Sequence, residues 1–372
     1  MVKKRNWAVL LLGFSIAMGL SALLLTYFHA YPIAKGAALL GIIGFLIIIQ
    51  FSPSIRGFSF TAWVLAAVGI ALMFPQHITH FLGFSTEDWI VPLIQLIMFG
   101  MGTTMGIKDF YGILRMPKGV LIGLACQFTI MPILALGLAY SFRFPPEIAA
   151  GVILIGTSPS GVSSNIITYL AKGNLPLSIT LTSFTTLLAP FVTPLLMKYL
   201  AGQYITLDYM TMMVGIVKML FIPVILGIVF NRFFRNRATW IQNGMPIVAM
   251  GANVLIIAII IAVGRDNLLT LGVALLLGAI LHNTLGFLLG YWSCKLFGMN
   301  KIDCRTIAIE VGMQNGGMAV GIASELGKAA TMGLFPAIFG TWMDISGSFL
   351  ANFWRKSHSE NIPEKPVSKQ IS

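Results

Sequence analysis

Two carboxylic acids stand inside long apolar stretches of the sequence, where an ionisable side chain is least expected. Glu310 lies in TIAIEVGMQNGGMAVGIASE, and Asp344 lies in FPAIFGTWMDISGS. If these stretches cross a bilayer, each charge is costly unless it is paired or hydrated, so both residues mark candidate sites. The amides Gln314 and Asn315 follow Glu310 closely. Carboxylate, amide and hydroxyl oxygens are hard ligands, which suit Na⁺ better than a soft metal.

The segment that carries Glu310 has a counterpart earlier in the chain, and the pattern predicts a broken helix in both. The counterpart is GVILIGTSPSGVSSNIITYLAKG, residues 151–173, in which Pro159 lacks an N–H and clashes with the preceding turn. Glycines in both segments weaken the helix further. Unwound carbonyls bind cations, while the N-termini of half-helices attract anions. Close helix packing is the alternative role for the glycines, but it does not account for Asn165 and Glu310 at membrane depth.

Polar residues in neighbouring apolar segments fit an ion site as well. Ser178 and Thr182 are four residues apart, so they share one face of the helix that follows the first break. Gln127 lies in the middle of another apolar segment, where a buried amide needs hydrogen-bond partners or an ion. A local bond from each hydroxyl to the preceding turn is the alternative.

Composition places the chain among membrane proteins. Of its 372 residues, 57% are hydrophobic and only 10% are charged, whereas soluble domains carry about 25% charged residues. This deficit excludes an ordinary soluble enzyme, a disordered protein and a nucleic-acid binder. Three cysteines are too few for a disulfide framework.

The apolar segments and the basic residues together predict a topology. A spanning helix needs about 20 mostly apolar residues. Twelve segments qualify, namely 7–28, 35–51, 58–75, 89–106, 118–141, 147–170, 176–197, 210–230, 244–263, 268–294, 304–325 and 331–354. With the N-terminus inside, 18 of 24 Lys and Arg residues lie on the cytoplasmic side, 5 lie outside and Lys218 lies within a span. Because basic residues collect in cytoplasmic loops, we expect a multi-pass protein of the plasma (inner) membrane with both termini cytoplasmic.

The predicted spans divide the chain into two similar halves. Residues 57–200 and residues 209–354 hold five spans each. Since five is odd, the second half must enter the membrane from the opposite side, which is an inverted repeat. Residues 1–56 are predicted to form an extra N-terminal transmembrane hairpin, and the polar residues 355–372 a disordered cytoplasmic tail.

Several motifs resemble the bile acid:sodium symporter family, in its bacterial branch. They are IMFGMGTTMGIKDF (97–110), CQFTIMP (126–132), GTSPSGVSSNIITYLAKGNLPLSITLTS (156–183), VKMLFIPVILG (217–227), LHNTLGFLLG (281–290), EVGMQNGGMAVGIA (310–323) and WMDISGS (342–348). The resemblance covers about residues 57–355. It implies an all-α polytopic membrane protein, a ten-helix inverted repeat (5+5) with two broken crossing helices, here with the extra N-terminal hairpin. In this family the helices form a panel domain and a core domain.

The resemblance also implies two sodium sites and a substrate site. The first sodium site would use Ser164, Asn165, Ser178, Thr182 and Glu310. The second would use Gln127, Glu310, Gln314 and the backbone carbonyls of Val311 and Met313. The substrate would lie beside Gly161, Val162, Asn315 and Asp344. Half-helix N-termini at these positions favour a substrate carboxylate.

The chain departs from some bacterial relatives at two of these positions. Val162 replaces a hydroxyl residue, so it cannot donate a hydrogen bond to a carboxylate. Met343 and Asp344 replace a His-Asn pair, and an ionised Asp344 would repel an anion. Asp344 would then pair with Lys218 or with a cationic group of the substrate. Bile acid is therefore not expected to be the natural substrate.

The resulting functional prediction is a sodium-coupled symporter, not an enzyme. It would carry a small organic anion (a carboxylate, bile-acid-like or pantoate- or keto-acid-like) across the lipid bilayer by alternating access, with two Na⁺ ions and no nucleic-acid partner. A proton-coupled transporter of the same fold and a non-transporting membrane receptor are alternatives. An intramembrane hydrolase is a further alternative. It would require Ser158 and His282 to lie in hydrogen-bond contact, because nucleophilic catalysis needs the base beside the nucleophile. The sequence leaves the particular anion and the oligomeric state open.

Overall fold

The computed structural model describes residues 31–51, 59–81, 83–104, 115–234 and 239–359. The predicted first span, 7–28, and residues 360–372 of the predicted tail lie outside the described residues. Nearly all of the described chain is helical. Its one small sheet is a two-stranded antiparallel hairpin, in which His80–Phe81 pairs with Phe84–Ser85.

The helices are numbered in chain order. They are α1 (Tyr31–Phe51), α2 (Ser59–Met73), α3 (Pro75–Thr79), α4 (Ile90–Thr104), α5 (Pro117–Phe142), α6 (Pro146–Thr157), α7 (Ser163–Leu170), α8 (Leu175–Leu200), α9 (Tyr209–Ile216), α10 (Ile222–Phe234), α11 (Thr239–Val263), α12 (Arg265–Leu296), α13 (Lys301–Gly312), α14 (Gly316–Glu325) and α15 (Leu334–Ser359). A 3₁₀ turn, Thr86–Trp89, precedes α4, and a π-helical turn, Val217–Phe221, joins α9 to α10.

Four stretches of the described chain have the length and apolar composition of a membrane-spanning helix. They are Pro117–Phe142, Leu175–Leu200, Tyr209–Phe234 and Arg265–Leu296. Shorter apolar helices occur at Lys35–Ile47, Ala62–Met73, Pro146–Thr157 and Ile247–Val263. Several apolar helices of this kind fit a polytopic membrane protein.

Both predicted breaks are present. The first broken helix consists of α6 and α7, which are separated by residues 158–162. The second consists of α13 and α14, which are separated by residues 313–315. Asn315 caps the start of α14, because its Oδ1 accepts a hydrogen bond from the Met318 N–H at 2.9 Å. The sequence therefore places an N-cap residue at the end of the second break.

Packing divides the helices into two groups. In the four-helix group, α2 and α4 pack on α11, and α4 also packs on α10. In the broken-helix group, α5, α8, α12 and α15 surround the two broken helices. The groups meet where α14 contacts α4, and where α15 contacts α11 and α2. The short helix α9, which precedes α10, contacts α14 beside this boundary. The side chains with candidate chemistry lie in the broken-helix group or at this boundary.

Polar contacts join the ends of the two broken helices to each other. At the start of α6, Glu147 forms an ion pair with Lys328 and accepts a hydrogen bond from the Thr331 hydroxyl at 2.6 Å. At the start of α13, Asp303 accepts a hydrogen bond from the Asn174 side chain at 2.7 Å. In both cases an acid in the first turn of one broken helix contacts the segment that follows the other. We call these contacts the two end contacts.

Candidate functional site

The two breaks lie against each other, and main-chain hydrogen bonds hold them together. The Gly161 N–H donates to the Met313 carbonyl at 2.9 Å, and the Asn315 N–H donates to the Pro159 carbonyl at 2.8 Å. Ser160 and Gln314 form an isolated antiparallel bridge between them. We call residues 158–162 and 313–315 the crossing. Each break thus supplies partners for backbone groups that the other leaves without helical partners.

Gly161 is required by this close approach. A Cβ atom at that position would lie 2.6 Å from the Gln314 carbonyl oxygen. Real Cβ atoms do not approach main-chain atoms so closely, and the neighbour is backbone that cannot move without breaking the crossing. The predicted substrate-site role of Gly161 is therefore accompanied by a steric one.

Four hydroxyl groups converge on the Glu310 carboxylate at the end of α13. Oε2 accepts hydrogen bonds from Ser160 at 2.6 Å and from Thr182 at 2.9 Å. Oε1 accepts hydrogen bonds from Ser164 at 2.6 Å and from Ser178. Glu310 is only 2% exposed. We call Ser160, Ser164, Ser178 and Thr182 the hydroxyl cluster.

Asn165 completes the set of side chains predicted for the first sodium site. Its Oδ1 accepts a hydrogen bond from the Ser178 hydroxyl at 2.8 Å and lies 3.4 Å from the Thr182 hydroxyl. The structure therefore brings together all five predicted residues of that site, from α7, α8 and α13. Their oxygens are carboxylate, amide and hydroxyl, the ligand types that suit an alkali cation. Among the described residues, no group of three or more His, Cys, Asp or Glu side chains offers a transition-metal site.

The residues predicted for the second sodium site also lie together, around a buried amide pair. The Gln127 Nε2 donates to the Gln314 Oε1 at 2.7 Å and to the Ser158 carbonyl at 3.0 Å. The Gln314 Nε2 in turn donates to the Val311 carbonyl at 2.7 Å. The Gln127 Oε1 is buried without a partner. A buried acceptor without a donor is costly, and a cation beside it would remove that cost.

Sequence reasoning missed three residues of this region. Ser160, although it lies in the quoted motif, was not assigned to the cluster that it completes. Thr193 donates to the Thr157 carbonyl at 2.7 Å, and Asn283 donates to the Gly312 carbonyl at 2.8 Å. Both satisfy carbonyls at the last residue of a half-helix, where helical partners end. A search for polar residues on the helices that flank the breaks would have found them.

The predicted substrate residues border the boundary between the helix groups. Asn315 is 5% exposed, and its Nδ2 has no hydrogen-bond partner. Val162 is partly buried against the core. Asp344 lines a cavity of about 40 Å³ with residues of α11, α14 and α15, namely Asn253, Ile256, Ile257, Gly316, Gly317, Val320, Pro336, Ala337, Gly340 and Met343. Since one water takes about 30 Å³ of liquid volume, this cavity is too small for an organic metabolite in the present conformation.

A larger cavity, of about 470 Å³, lies elsewhere along the boundary. Lys218 and Glu325 line it, together with Met210, Thr211, Met212, Val214, Gly215, Ile322 and Leu326. Lys218 acts electrostatically on Glu325. The lining of this cavity does not include Asp344 or the crossing. The suggested pairing of Asp344 with Lys218 is therefore not what the structure shows, and Lys218 faces a different acid.

The residues of the alternative hydrolase hypothesis have other partners. The Ser158 hydroxyl donates to the Leu154 carbonyl at 2.8 Å, one turn back in α6. The Nε2 of His282 contacts the Met131 carbonyl at 3.0 Å. Both side chains thus contact backbone carbonyls, Ser158 within its own helix and His282 on α5, whereas nucleophilic catalysis would need the two side chains in contact with each other.

Comparisons with known proteins give the family. The profile of the Sodium Bile acid symporter family matches residues 91–272. The uncharacterized sodium-dependent transporter YocS of Bacillus subtilis (strain 168) is 38% identical over 301 residues, which are 81% of this chain and 92% of the relative. The probable sodium/metabolite cotransporter BASS1, chloroplastic, of Arabidopsis thaliana is 32% identical over 306 residues, 82% of this chain and 75% of the relative. Its namesake in Oryza sativa subsp. japonica is 31% identical over 326 residues, 86% and 78% of the two chains.

All of these relatives bear the names of transporters and none the name of an enzyme. With the apolar helices of the structure, they make this chain a multi-pass membrane transporter. The motifs that suggested the family from the sequence lie largely within the matched range. The chain therefore belongs to the sodium bile acid symporter family.

Proposed function

We propose that this protein is a sodium-coupled symporter of a small organic anion. The observation that carries the proposal is the convergence of four hydroxyl groups on the single buried carboxylate of Glu310. A hydroxyl is both a donor and an acceptor. When a cation binds, the hydroxyl cluster can turn its oxygens toward the ion while the carboxylate supplies the charge.

A second sodium ion is proposed beside the Gln127–Gln314 amide pair. The unpartnered Gln127 Oε1, the Gln314 side chain and the carbonyls of Val311 and Met313 would supply its oxygens, and Glu310 would be shared. Two sodium ions carry two positive charges. Glu310 and one further negative charge in the site would together balance them, which matters because uncompensated charge at this depth is costly.

The proposed architecture is an inverted repeat of residues 57–200 and 209–354, preceded by the hairpin 1–56. The two breaks, the capping of their carbonyls and the two end contacts occur at matching places in both halves, which supports it. We place the protein in the plasma (inner) membrane with both termini cytoplasmic. Transport would follow from movement of the broken-helix group against the four-helix group. This movement would widen the small cavity beside Asp344.

Transport measurements in proteoliposomes test the proposal. Uptake of carboxylates is measured with an inward gradient of Na⁺, and then with Na⁺ replaced by choline at fixed pH. We expect uptake only with Na⁺, and Glu310→Ala should abolish it. Glu325→Ala removes an acid that is exposed at the end of α14 and should retain uptake.

Several outcomes would overturn sodium coupling. Uptake in choline that follows a proton gradient would indicate the proton-coupled alternative. Ligand binding without any flux would indicate a receptor. Full activity of Glu310→Ala would remove the residue on which the proposed ion sites depend.

A further inference from the structure

The position of Asp344 bears on the class of carboxylate substrate and argues against a plain anion. This inference rests on the sodium-coupled transport of the proposed function. Asp344 projects from α15 into the small cavity at the boundary of the two helix groups. Gly316 and Gly317, the first residues of α14, line the same cavity. Ser163, the first residue of α7, interacts with the Asp344 carboxyl group. Asp344 is therefore next to the N-termini of both half-helices.

A resident carboxylate at this place changes what the site selects. Half-helix N-termini carry partial positive charge and favour an anion. Asp344 brings a negative charge of the protein itself to that position. A substrate with only a carboxylate would meet this charge at short range, in a cavity walled by Ile256, Ile257 and Val320. Burying two like charges together is unfavourable unless a cation lies between them.

Charge balance indicates where that cation comes from. Lys218 lies in the other cavity, with Glu325, and so does not neutralise Asp344. Two sodium ions would offset Glu310 and one further negative charge. If that further charge is Asp344, the substrate must be neutral overall. A carboxylate substrate is neutral overall when it also carries an ammonium group.

Donors for the carboxylate end are present at the crossing. The Asn315 Nδ2 is buried and has no partner. Its side chain caps α14, and it directly precedes Gly316 and Gly317, which line the cavity. The site thus combines a free donor at one end with an acid at the other.

We propose that the substrate is a zwitterionic amino-carboxylate, whose ammonium group binds Asp344 and whose carboxylate binds Asn315 and the start of α14. Asp344 is the residue that determines this specificity.

A matched series of ligands tests this proposal on the purified full-length chain. For each carbon skeleton from three to six carbons, four acids differ only at the carbon next to the carboxylate: ammonium, hydroxyl, keto or hydrogen. Thermal stabilisation in Na⁺ measures binding, and uptake in proteoliposomes measures transport. A ligand that binds the native state raises its apparent stability. We expect the ammonium member of one skeleton to bind best.

The variant Asp344→Asn tests whether Asp344 causes the preference for the ammonium member. Loss of one partner of a buried charge pair should weaken the ammonium member at least about 30-fold relative to the hydrogen member. Asp266→Asn removes an acid that is almost fully exposed and should leave the preference intact. Asp344→Glu retains the charge and should retain the preference. It shows that substitution at this position does not by itself remove the preference.

The outcomes separate this inference from the proposed function. If the keto or hydrogen members are taken up as well as the ammonium member, and uptake still needs Na⁺, the inference is overturned but the proposed function stands. A preference for the hydroxyl member, or a preference unchanged in Asp344→Asn, would do the same. Absence of sodium-dependent binding or uptake for every acid would overturn the proposed function as well.

Discussion

The two breaks perform similar backbone tasks with different side chains. The first break, α7 and α8 provide only neutral side chains around Glu310, namely the Asn165 amide and the hydroxyls of Ser160, Ser164, Ser178 and Thr182. The second break and the helix before it provide the carboxylate of Glu310 and the amides of Gln314 and Asn315. Neither half contains both the charge and its hydrogen-bond donors. The difference shows that the site is a property of the crossing and not of either half.

The largest effect is expected from the charged side of this comparison. Glu310→Gln keeps the shape of the side chain but removes the charge, so thermal stabilisation by Na⁺ should disappear. In sodium-free buffer the variant should be at least as stable as the parent chain, because a buried carboxylate carries a desolvation penalty. Melting temperatures in NaCl and in choline chloride measure both effects. Sodium stabilisation retained in Glu310→Gln would contradict the assigned role.

The next largest effect is expected from a variant that disturbs the close contact between the two breaks. Gly161→Ala places a methyl group 2.6 Å from the Gln314 carbonyl, and overpacking of this kind typically costs about 1–3 kcal/mol. We expect lower stability and weaker sodium binding together, because the hydroxyls and the carboxylate would separate.

Gly317→Ala is the matched control for that variant. A Cβ there would meet only the Asn315 Oδ1, at 3.6 Å, which is an ordinary contact. Equal losses of stability in the two variants, measured as shifts in melting temperature, would mean that the close approach at Gly161 is not what holds the crossing.

The smallest effects are expected when single hydroxyl groups are removed from the hydroxyl cluster. Thr182→Val and Ser178→Ala each remove one hydroxyl from Glu310 and leave the other three. A hydrogen bond to a charged group contributes about 1.5–3 kcal/mol, so sodium affinity should fall roughly 10- to 150-fold. Ser183→Ala is the control, since that hydroxyl donates to the Ile179 carbonyl of its own helix at 2.7 Å. Sodium titrations of stability measure the affinity, and no change in Thr182→Val would contradict the site.

Local features of the sequence predicted much of this arrangement. Proline and glycine placed both breaks, and the spacing of Ser178 and Thr182 placed their hydroxyls on one face of α8. Asn165 and Gln127 stood out as amides in apolar segments. The family resemblance added Ser164 and assigned all three to sodium sites, and the structure brings them to the crossing. The assignment of ions to these residues remains a prediction.

Features that depend on long-range packing were not predictable in this way. Thr193 and Asn283 can be found as polar residues on flanking helices, but which open carbonyl each one meets depends on packing. The contact of Ser160 with the Glu310 carboxylate depends on packing in the same way. Lys218 was recognised as a charge within a span, but its neighbour Glu325 is over 100 residues away in the sequence. The size of the cavity beside Asp344 depends on how two helix groups meet, which periodicity does not determine.

The separation of charge and hydroxyls along the chain also has a consequence for biosynthesis. Thr182 precedes Glu310 by 128 residues and Ser160 precedes it by 150. At typical rates of translation this is a delay of roughly 6–30 s. During that interval the hydroxyls do not need the carboxylate as an acceptor. Thr182, for example, can donate to a carbonyl of its own helix, as its bond to the Ser178 carbonyl shows. The ribosome therefore synthesises all four hydroxyl residues before the carboxylate that they contact in the folded protein.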